Sequence, residues 1–117
     1  MPLDFPRTMY DVEATGSIHL GLGKPPWKNI ELYLRNSPLS YVEKVETPVM
    51  IIHGDLDVAV PIEQAEQFFS ALYRQNKRAR FLRYWGEGHV LDSPANIQDM
   101  WQRIYTWLDE LLITNAK

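Results

Sequence analysis

Four consecutive apolar residues, Val49 to Ile52, are the feature that most constrains the fold of this chain. They follow Thr47-Pro48 and stop at His53-Gly54, so residues that interrupt regular structure bound the run on both sides. A continuous apolar run rich in β-branched side chains is typical of a strand buried on both faces of a parallel sheet. Such a strand needs helices packed against it, and the flanking sequence should supply them.

The residues after this run predict a helix and then a second strand. Pro61 fits the first turn of the helix, Asn76-Lys77 ends it, and its apolar positions recur at i, i+3, i+4 and i+7, namely Ala65, Phe68, Phe69 and Leu72. The second strand is predicted over Arg80 to Trp85. Upstream, Asn29 is a candidate N-cap for a short helix that ends before Pro38, and another helical turn is predicted over Pro38 to Val45.

The clearest helical pattern lies near the C-terminus. Ser93 and Pro94 suit the N-cap and N1 positions, and the apolar stripe comprises Ile97, Met100, Trp101, Ile104, Leu108 and Leu111. Strand, helix, strand and helix in this order predict a short right-handed parallel βαβα unit, and therefore an α/β fold. We divide the chain into an irregular arm over 1–26 and a single globular unit over 27–117.

Composition excludes several classes of function. The 117 residues carry fifteen acidic against twelve Lys and Arg side chains, a net charge of -3, with no basic cluster for nucleic acid or an anionic membrane. There is no Cys, which excludes disulfides, thiolate nucleophiles and Cys-based metal sites. No signal peptide is visible and no apolar run approaches the ~20 residues of a membrane span, so we expect a soluble protein, most simply cytoplasmic.

Two polar loops follow the two predicted strands. The first reads His53-Gly-Asp-Leu-Asp57 and the second reads Gly86-Glu-Gly-His89. Because the carboxyl ends of adjacent parallel strands meet at one edge of a sheet, the acidic loop and the histidine loop should lie side by side. A carboxylate there would accept a hydrogen bond from one imidazole nitrogen and leave the other nitrogen free to take a proton. The sequence therefore predicts a histidine base oriented by an acid.

The same stretches resemble the C-terminal part of the catalytic domain of prolyl oligopeptidase family serine peptidases, α/β-hydrolases that include acylaminoacyl and dipeptidyl peptidases. The resemblance covers roughly Trp27 to Leu112 and rests on Thr47-Pro-Val-Met-Ile-Ile-His-Gly-Asp-Leu-Asp-Val-Ala-Val-Pro61, Gln64-Ala65-Glu66 and Gly86-Glu-Gly-His89. It implies a partial α/β-hydrolase fold in which Asp57 is the acid of a catalytic triad and His89 is its histidine. From the residues alone, Asp57 could instead form an Asx turn or a helix cap leading into Pro61.

The sequence lacks the nucleophile motif of that family. α/β-Hydrolases carry the serine on a Gly-x-Ser-x-Gly turn before the acid, and none of the five serines here has a glycine two residues away on both sides, namely Ser17, Ser37, Ser40, Ser70 and Ser93. We therefore expect the C-terminal portion of a serine peptidase that is inactive alone and meets peptide or acyl substrates only when the missing half is supplied.

Neighbouring polar residues are given structural roles. Asp55 and Glu87 are predicted to be solvated loop acids, and His53 to end the strand beside Gly54, whose missing side chain permits a tight turn. A metal site built from His53, Asp55, Asp57 and His89 is the alternative for this cluster, but the Asp-x-His and Gly-Asn-His strings of metal-dependent phosphoesterases are absent. We expect neither a metal nor any other cofactor.

A non-catalytic role is the second hypothesis for the whole chain. With so few strands, Val49 to Ile52 should expose an unpaired edge, and unpaired edges recruit further strands. A homo-oligomer is then expected, formed through this edge or through exchange of the N-terminal arm.

Overall fold

Short helical segments lead into the sheet in the computed structural model, which describes residues 26–113. A 3₁₀ turn spans Pro26–Lys28, helix α1 spans Ile30–Arg35, and a 3₁₀ helix spans Pro38–Lys44. The predicted cap is confirmed, since the backbone N–H of Leu32 donates to Asn29 Oδ1 at 3.2 Å. The predicted arm over 1–26 lies outside the described residues except for Pro26, as do residues 114–117.

The two predicted strands form a parallel pair. Strand β1 spans Val49–Gly54 and strand β2 spans Ala79–Tyr84, in register from Val49 opposite Ala79 to Gly54 opposite Tyr84. Trp85, predicted as the end of the second strand, lies beyond it and is exposed. Strand β1 is half-buried along Val49 to His53 rather than buried on both faces, because no third strand among residues 26–113 covers its other edge.

Helix α2, Ile62–Arg74, connects the strands and lies against both of them. Ala65 is buried and Leu72 is fully buried, whereas Phe68 and Phe69 are only half-buried. The predicted apolar stripe therefore faces the sheet, but two of its four side chains are less buried than expected. The helix ends at a left-handed Asn76, whose φ of 57° lets the backbone N–H of Lys77 donate to the Leu72 carbonyl oxygen at 3.0 Å. The predicted end of this helix is confirmed.

Helix α3, Pro94–Leu108, packs through a different residue from the one predicted. Trp101 is 50% exposed, so its placement in the core is wrong, whereas Trp107 is 6% exposed. The guanidinium groups of Arg78 and Arg80 lie 5.4 and 4.8 Å from the centre of the Trp107 ring. Nearer its N-terminal end the helix also contacts β2, since the Tyr84 hydroxyl donates to Asp99 Oδ2 at 2.8 Å. Its C-terminal end continues as a π-helical turn over Asp109–Ile113.

The observed order confirms the predicted parallel βαβα arrangement. Both loops that follow the strands lie at the carboxyl edge of the sheet, where the sequence placed the chemistry. Within residues 26–113, no helix is both long and apolar enough to cross a bilayer.

Candidate active site

Asp57 and His89 are joined directly by a hydrogen bond. His89 Nδ1 lies 2.9 Å from Asp57 Oδ2, and because a carboxylate only accepts, the imidazole donates from Nδ1. The Asp57 side chain is 4% exposed, whereas that of His89 is 60% exposed. The predicted pair is therefore brought together as a buried acid and an accessible base, with the Nε2 atom of the imidazole free of the carboxylate.

The other oxygen of Asp57 organises its own loop. Oδ1 accepts hydrogen bonds from the backbone N–H groups of Ala59 at 2.9 Å and Val60 at 2.8 Å. One oxygen thus forms the turn leading to Pro61 that the residues alone allowed, and the other oxygen faces the histidine. Two backbone donors fix the carboxylate plane without any contribution from His89.

The charged form of Asp57 is stabilised despite its burial. Burial alone would raise the pKa of this carboxyl, but the hydrogen bonds from Val60, His89 and Ala59 outweigh it and hold the pKa below its ordinary value. The carboxylate consequently stays ionised at neutral pH, which is the state that can orient an imidazole and stabilise an imidazolium.

Gly54 lets the two loops approach each other. A Cβ atom on this residue would overlap the backbone carbonyl oxygens of Glu87 and Gly88. The backbone N–H of Leu56 donates to the Glu87 carbonyl oxygen at 2.8 Å, and the N–H of Gly86 donates to Asp55 Oδ1 at 2.6 Å. The predicted turn is present, since the backbone N–H of Asp57 donates to the Gly54 carbonyl oxygen at 3.3 Å, and the absence of a side chain on Gly54 also permits the close backbone packing of the two loops.

Glu87 is not the solvated loop acid that the sequence predicted. Its residue is 4% exposed, and its carboxylate accepts hydrogen bonds from the backbone N–H groups of Asp92 and Ser93 and from the Asn96 side chain. These bonds, led by the one from Asp92, lower its pKa despite the opposing effect of burial. Ser93 occupies the predicted N-cap position without a capping bond from its own side chain, and its backbone N–H donates to the Glu87 carboxylate just before the helix begins.

His53 also belongs to this cluster, whereas the sequence interpretation has it end the strand or, as the alternative, join a metal site, and does not predict its contact with Asp57. Its Nε2 lies 2.8 Å from the Val60 carbonyl oxygen and 3.2 Å from Asp57 Oδ2. The i, i+4 spacing of His53 and Asp57 across a strand end was the signal available in the sequence. Within residues 26–113, no three His, Asp or Glu side chains have an arrangement that could hold a metal ion.

Solved structures with a similar fold are α/β-hydrolases. A puromycin-hydrolysing peptidase of Mycobacterium tuberculosis superposes with a TM-score of 0.71 and 24% identity, over 76% of this chain and 14% of that one. A thermophilic esterase of Thermogutta terrifontis superposes with a TM-score of 0.61 and 20% identity, over 86% of this chain and 35% of that one. The predicted fold class, a partial α/β-hydrolase, is confirmed.

Sequence comparisons identify the family. The uncharacterized peptidase YuxL of Bacillus subtilis is 39% identical over 79 residues, which are 65% of this chain and 12% of that protein. Dipeptidyl-peptidase 5 of Porphyromonas gingivalis is 30% identical over 95 residues, 78% of this chain and 14% of that protein. The acylamino-acid-releasing enzyme of Rattus norvegicus is 32% identical over 78 residues, which are 67% of this chain and 11% of that protein.

This chain therefore spans only a small part of the length of these curated relatives. The sequence model of the prolyl oligopeptidase family matches residues 4–114, nearly the whole chain. The resemblance first noted in the two loops is confirmed, and the chain belongs to the prolyl oligopeptidase family of serine peptidases.

Proposed function

We propose that this chain supplies the acid and the histidine of a serine-peptidase triad, with Asp57 orienting His89 for a serine held on a segment outside residues 26–113. The observation that carries the proposal is the 2.9 Å contact between His89 Nδ1 and Asp57 Oδ2, in which the acid is buried and the imidazole is exposed. An imidazole that donates from Nδ1 keeps the Nε2 lone pair available as a base.

The proposed chemistry is acyl transfer to serine and then to water. The serine Oγ attacks the carbonyl carbon while His89 Nε2 takes the hydroxyl proton, and Asp57 stabilises the resulting imidazolium. The C–N bond breaks as Nε2 returns that proton to the leaving amine. Water then attacks the acyl carbon while His89 Nε2 takes its proton, and the C–Oγ bond breaks as Nε2 returns that proton to the serine oxygen, releasing the acid. Peptides are the proposed substrates, which the names of the acylamino-acid-releasing and dipeptidyl-peptidase relatives support.

The chain alone should not carry out this reaction. None of its five serines lies in a Gly-x-Ser-x-Gly turn, and a base without a positioned nucleophile gives little rate enhancement. We expect no turnover of p-nitrophenyl esters or aminoacyl amides and no labelling by fluorophosphonates. Rapid labelling of any of these serines would contradict the proposal that this chain supplies the acid and the histidine but not the nucleophile.

A chimeric enzyme tests the proposal in the positive direction. Residues 26–113 replace the matching segment of the Porphyromonas gingivalis dipeptidyl-peptidase 5, which brings its own nucleophile. We expect the chimera to release dipeptides from a chromogenic peptide substrate, and His89→Gln to remove that activity. A folded chimera that remains equally active after His89→Gln would show that the base comes from elsewhere.

Association through β1 is the second candidate function, and the geometry of the strand favours it. Val49 and Asp55 donate their backbone N–H groups to carbonyl oxygens at Arg78 and Tyr84, each at 3.0 Å. Because backbone groups alternate in direction along a strand, those of Met50 and Ile52 point to the opposite edge. Among residues 26–113, no strand pairs with that edge.

Proline substitution tests whether the free edge of β1 pairs with a second copy of the chain. Met50→Pro removes an N–H that points to the free edge and leaves the pairing of β1 with β2 intact. We expect light scattering to show a dimer of the parent chain and a monomer of the variant at micromolar concentration. A monomeric parent chain would exclude this function.

A further inference from the structure

His53 occupies a position in the cluster that the triad itself does not explain. Its side chain is 12% exposed and extends from the rigid end of β1, one residue before Gly54. Since Nε2 faces the carbonyl oxygen of Val60 at 2.8 Å, which can only accept, the proton of this imidazole lies on Nε2. The same N–H group faces Asp57 Oδ2 at 3.2 Å.

The three residues His53, Asp57 and Val60 form a closed ring, joined by two hydrogen bonds and by the close contact between His53 Nε2 and Asp57 Oδ2. The backbone N–H of Val60 donates to Asp57 Oδ1, the carbonyl oxygen of Val60 accepts from His53, and His53 also contacts Asp57 Oδ2. Both the backbone N–H and the backbone carbonyl of Val60 therefore take part in holding the acid. His53 is the member of this ring that is anchored in a strand.

The segment that carries Asp57 needs such an anchor. Leu56 is 61% exposed and Val58 is 94% exposed, so the residues on either side of the acid contribute little packing. Exposed loops with few apolar contacts open locally at low free-energy cost. The backbone N–H of Leu56 ties the start of this loop to the Glu87 carbonyl oxygen at 2.8 Å, and His53 supplies a second tie beyond the acid, at the carbonyl oxygen of Val60.

We propose that His53 is a positioning residue, which locks the Asp57–Val60 turn to strand β1 and thereby aims Asp57 Oδ2 at His89 Nδ1. The inference rests on the proposed function in that it assigns His53 to the same triad half. It also requires the two imidazoles to be opposite tautomers, with the proton on Nε2 in His53 and on Nδ1 in His89.

Two amide substitutions of different reach test the role of His53. In His53→Gln the side-chain nitrogen lies four bonds from Cα, as Nε2 does in histidine, so it can donate to the Val60 carbonyl oxygen. In His53→Asn the nitrogen lies one bond closer to Cα and falls short of that oxygen. The two variants match in polarity and differ in whether they can complete the ring.

The readout is the tautomer of His89 in the chain alone, measured by long-range ¹H–¹⁵N correlation of the imidazole rings at a pH where they are neutral. The parent chain should show His89 protonated on Nδ1 and His53 on Nε2. Because a free imidazole favours the Nε2–H tautomer, we expect His53→Asn to lose the Nδ1–H form of His89 and His53→Gln to keep it. Backbone amide spectra of both variants establish that they are folded.

Only this contrast between the two variants supports the positioning role. If both folded variants keep the Nδ1–H tautomer of His89, the positioning role is wrong. It is also wrong if both variants lose this tautomer equally, because the length of the side chain at position 53 would then have no effect. The tautomer measurement requires no nucleophile. An inactive chimera would therefore count against the proposed function, whereas the positioning role of His53 is decided by the tautomer measurement alone.

Discussion

Gly54 at the end of β1 and Glu87 in the loop after β2 are packed so closely that a Cβ atom on Gly54 would overlap the Glu87 carbonyl oxygen. That same carbonyl accepts the backbone N–H of Leu56 at 2.8 Å. The contact lies between the loop that carries Asp57 and the loop that carries His89, and therefore sets the separation of the acid and the base.

Replacing Gly54 by alanine should separate the two loops. The new methyl group meets backbone atoms, which cannot move aside as a flexible side chain can, so we expect a loss of about 1–3 kcal/mol in the free energy of unfolding. The matched control is Gly88→Ala, since a Cβ there meets nothing within 4 Å. Urea denaturation of the two variants checks this, and equal stabilities would contradict it.

Removing the charge of Glu87 should change the pH dependence of stability. The folded state lowers the pKa of this carboxyl, so its contribution is fully present above its unfolded pKa, about 4.5, and is lost as the pH falls through its lower folded pKa. We expect Glu87→Gln to be less stable than the parent chain at pH 7 and the difference to shrink below pH 4.5. Thermal midpoints measured from pH 7 to pH 3 check this.

The control for Glu87 is Glu46→Gln, because Glu46 is an exposed residue between the 3₁₀ helix and β1. It should follow the parent curve throughout the same pH range. A Glu87→Gln curve that also follows the parent would show that the bonds to Asp92, Ser93 and Asn96 do not depend on the charge.

The two tryptophans of α3 should differ strongly in their effect on stability. Trp107 is 6% exposed and lies against Arg78 and Arg80, so Trp107→Ala should cost about 3–5 kcal/mol. Trp101 is 50% exposed, and Trp101→Ala should cost no more than about 1 kcal/mol. Chemical denaturation of both variants measures the contrast, and similar costs would contradict the observed packing of this helix.

The sequence predicts the strands and helices from local pattern and the meeting of the two loops from the order of elements, whereas the choice of Asp57 and His89 within those loops comes from the family resemblance. Val49 to Ile52 is a continuous apolar run, and consecutive parallel strands bring their following loops to one edge, so Asp57 and His89 meet as expected. The α-helical periodicity also places Ala65 and Leu72 correctly on the face turned to the sheet.

The errors concern contacts that periodicity does not encode. The stripe of α3 contains Trp101, which is exposed, whereas the buried tryptophan is Trp107, beside Arg78 and Arg80. Glu87 becomes buried because its carboxylate accepts the backbone N–H groups of Asp92 and Ser93, and His53 joins the site through the carbonyl oxygen of Val60. These arrangements depend on loop paths, which pattern alone does not determine.

The rate constant of fluorophosphonate labelling of the chimera serine tests the central claim most directly. If His89 activates that serine and Asp57 orients His89, then His89→Gln and Asp57→Asn should each slow labelling by about 10³-fold or more, while the exposed Asp92→Asn should not change it. Labelling that proceeds at the same rate in the folded His89→Gln and Asp57→Asn chimeras would contradict the account.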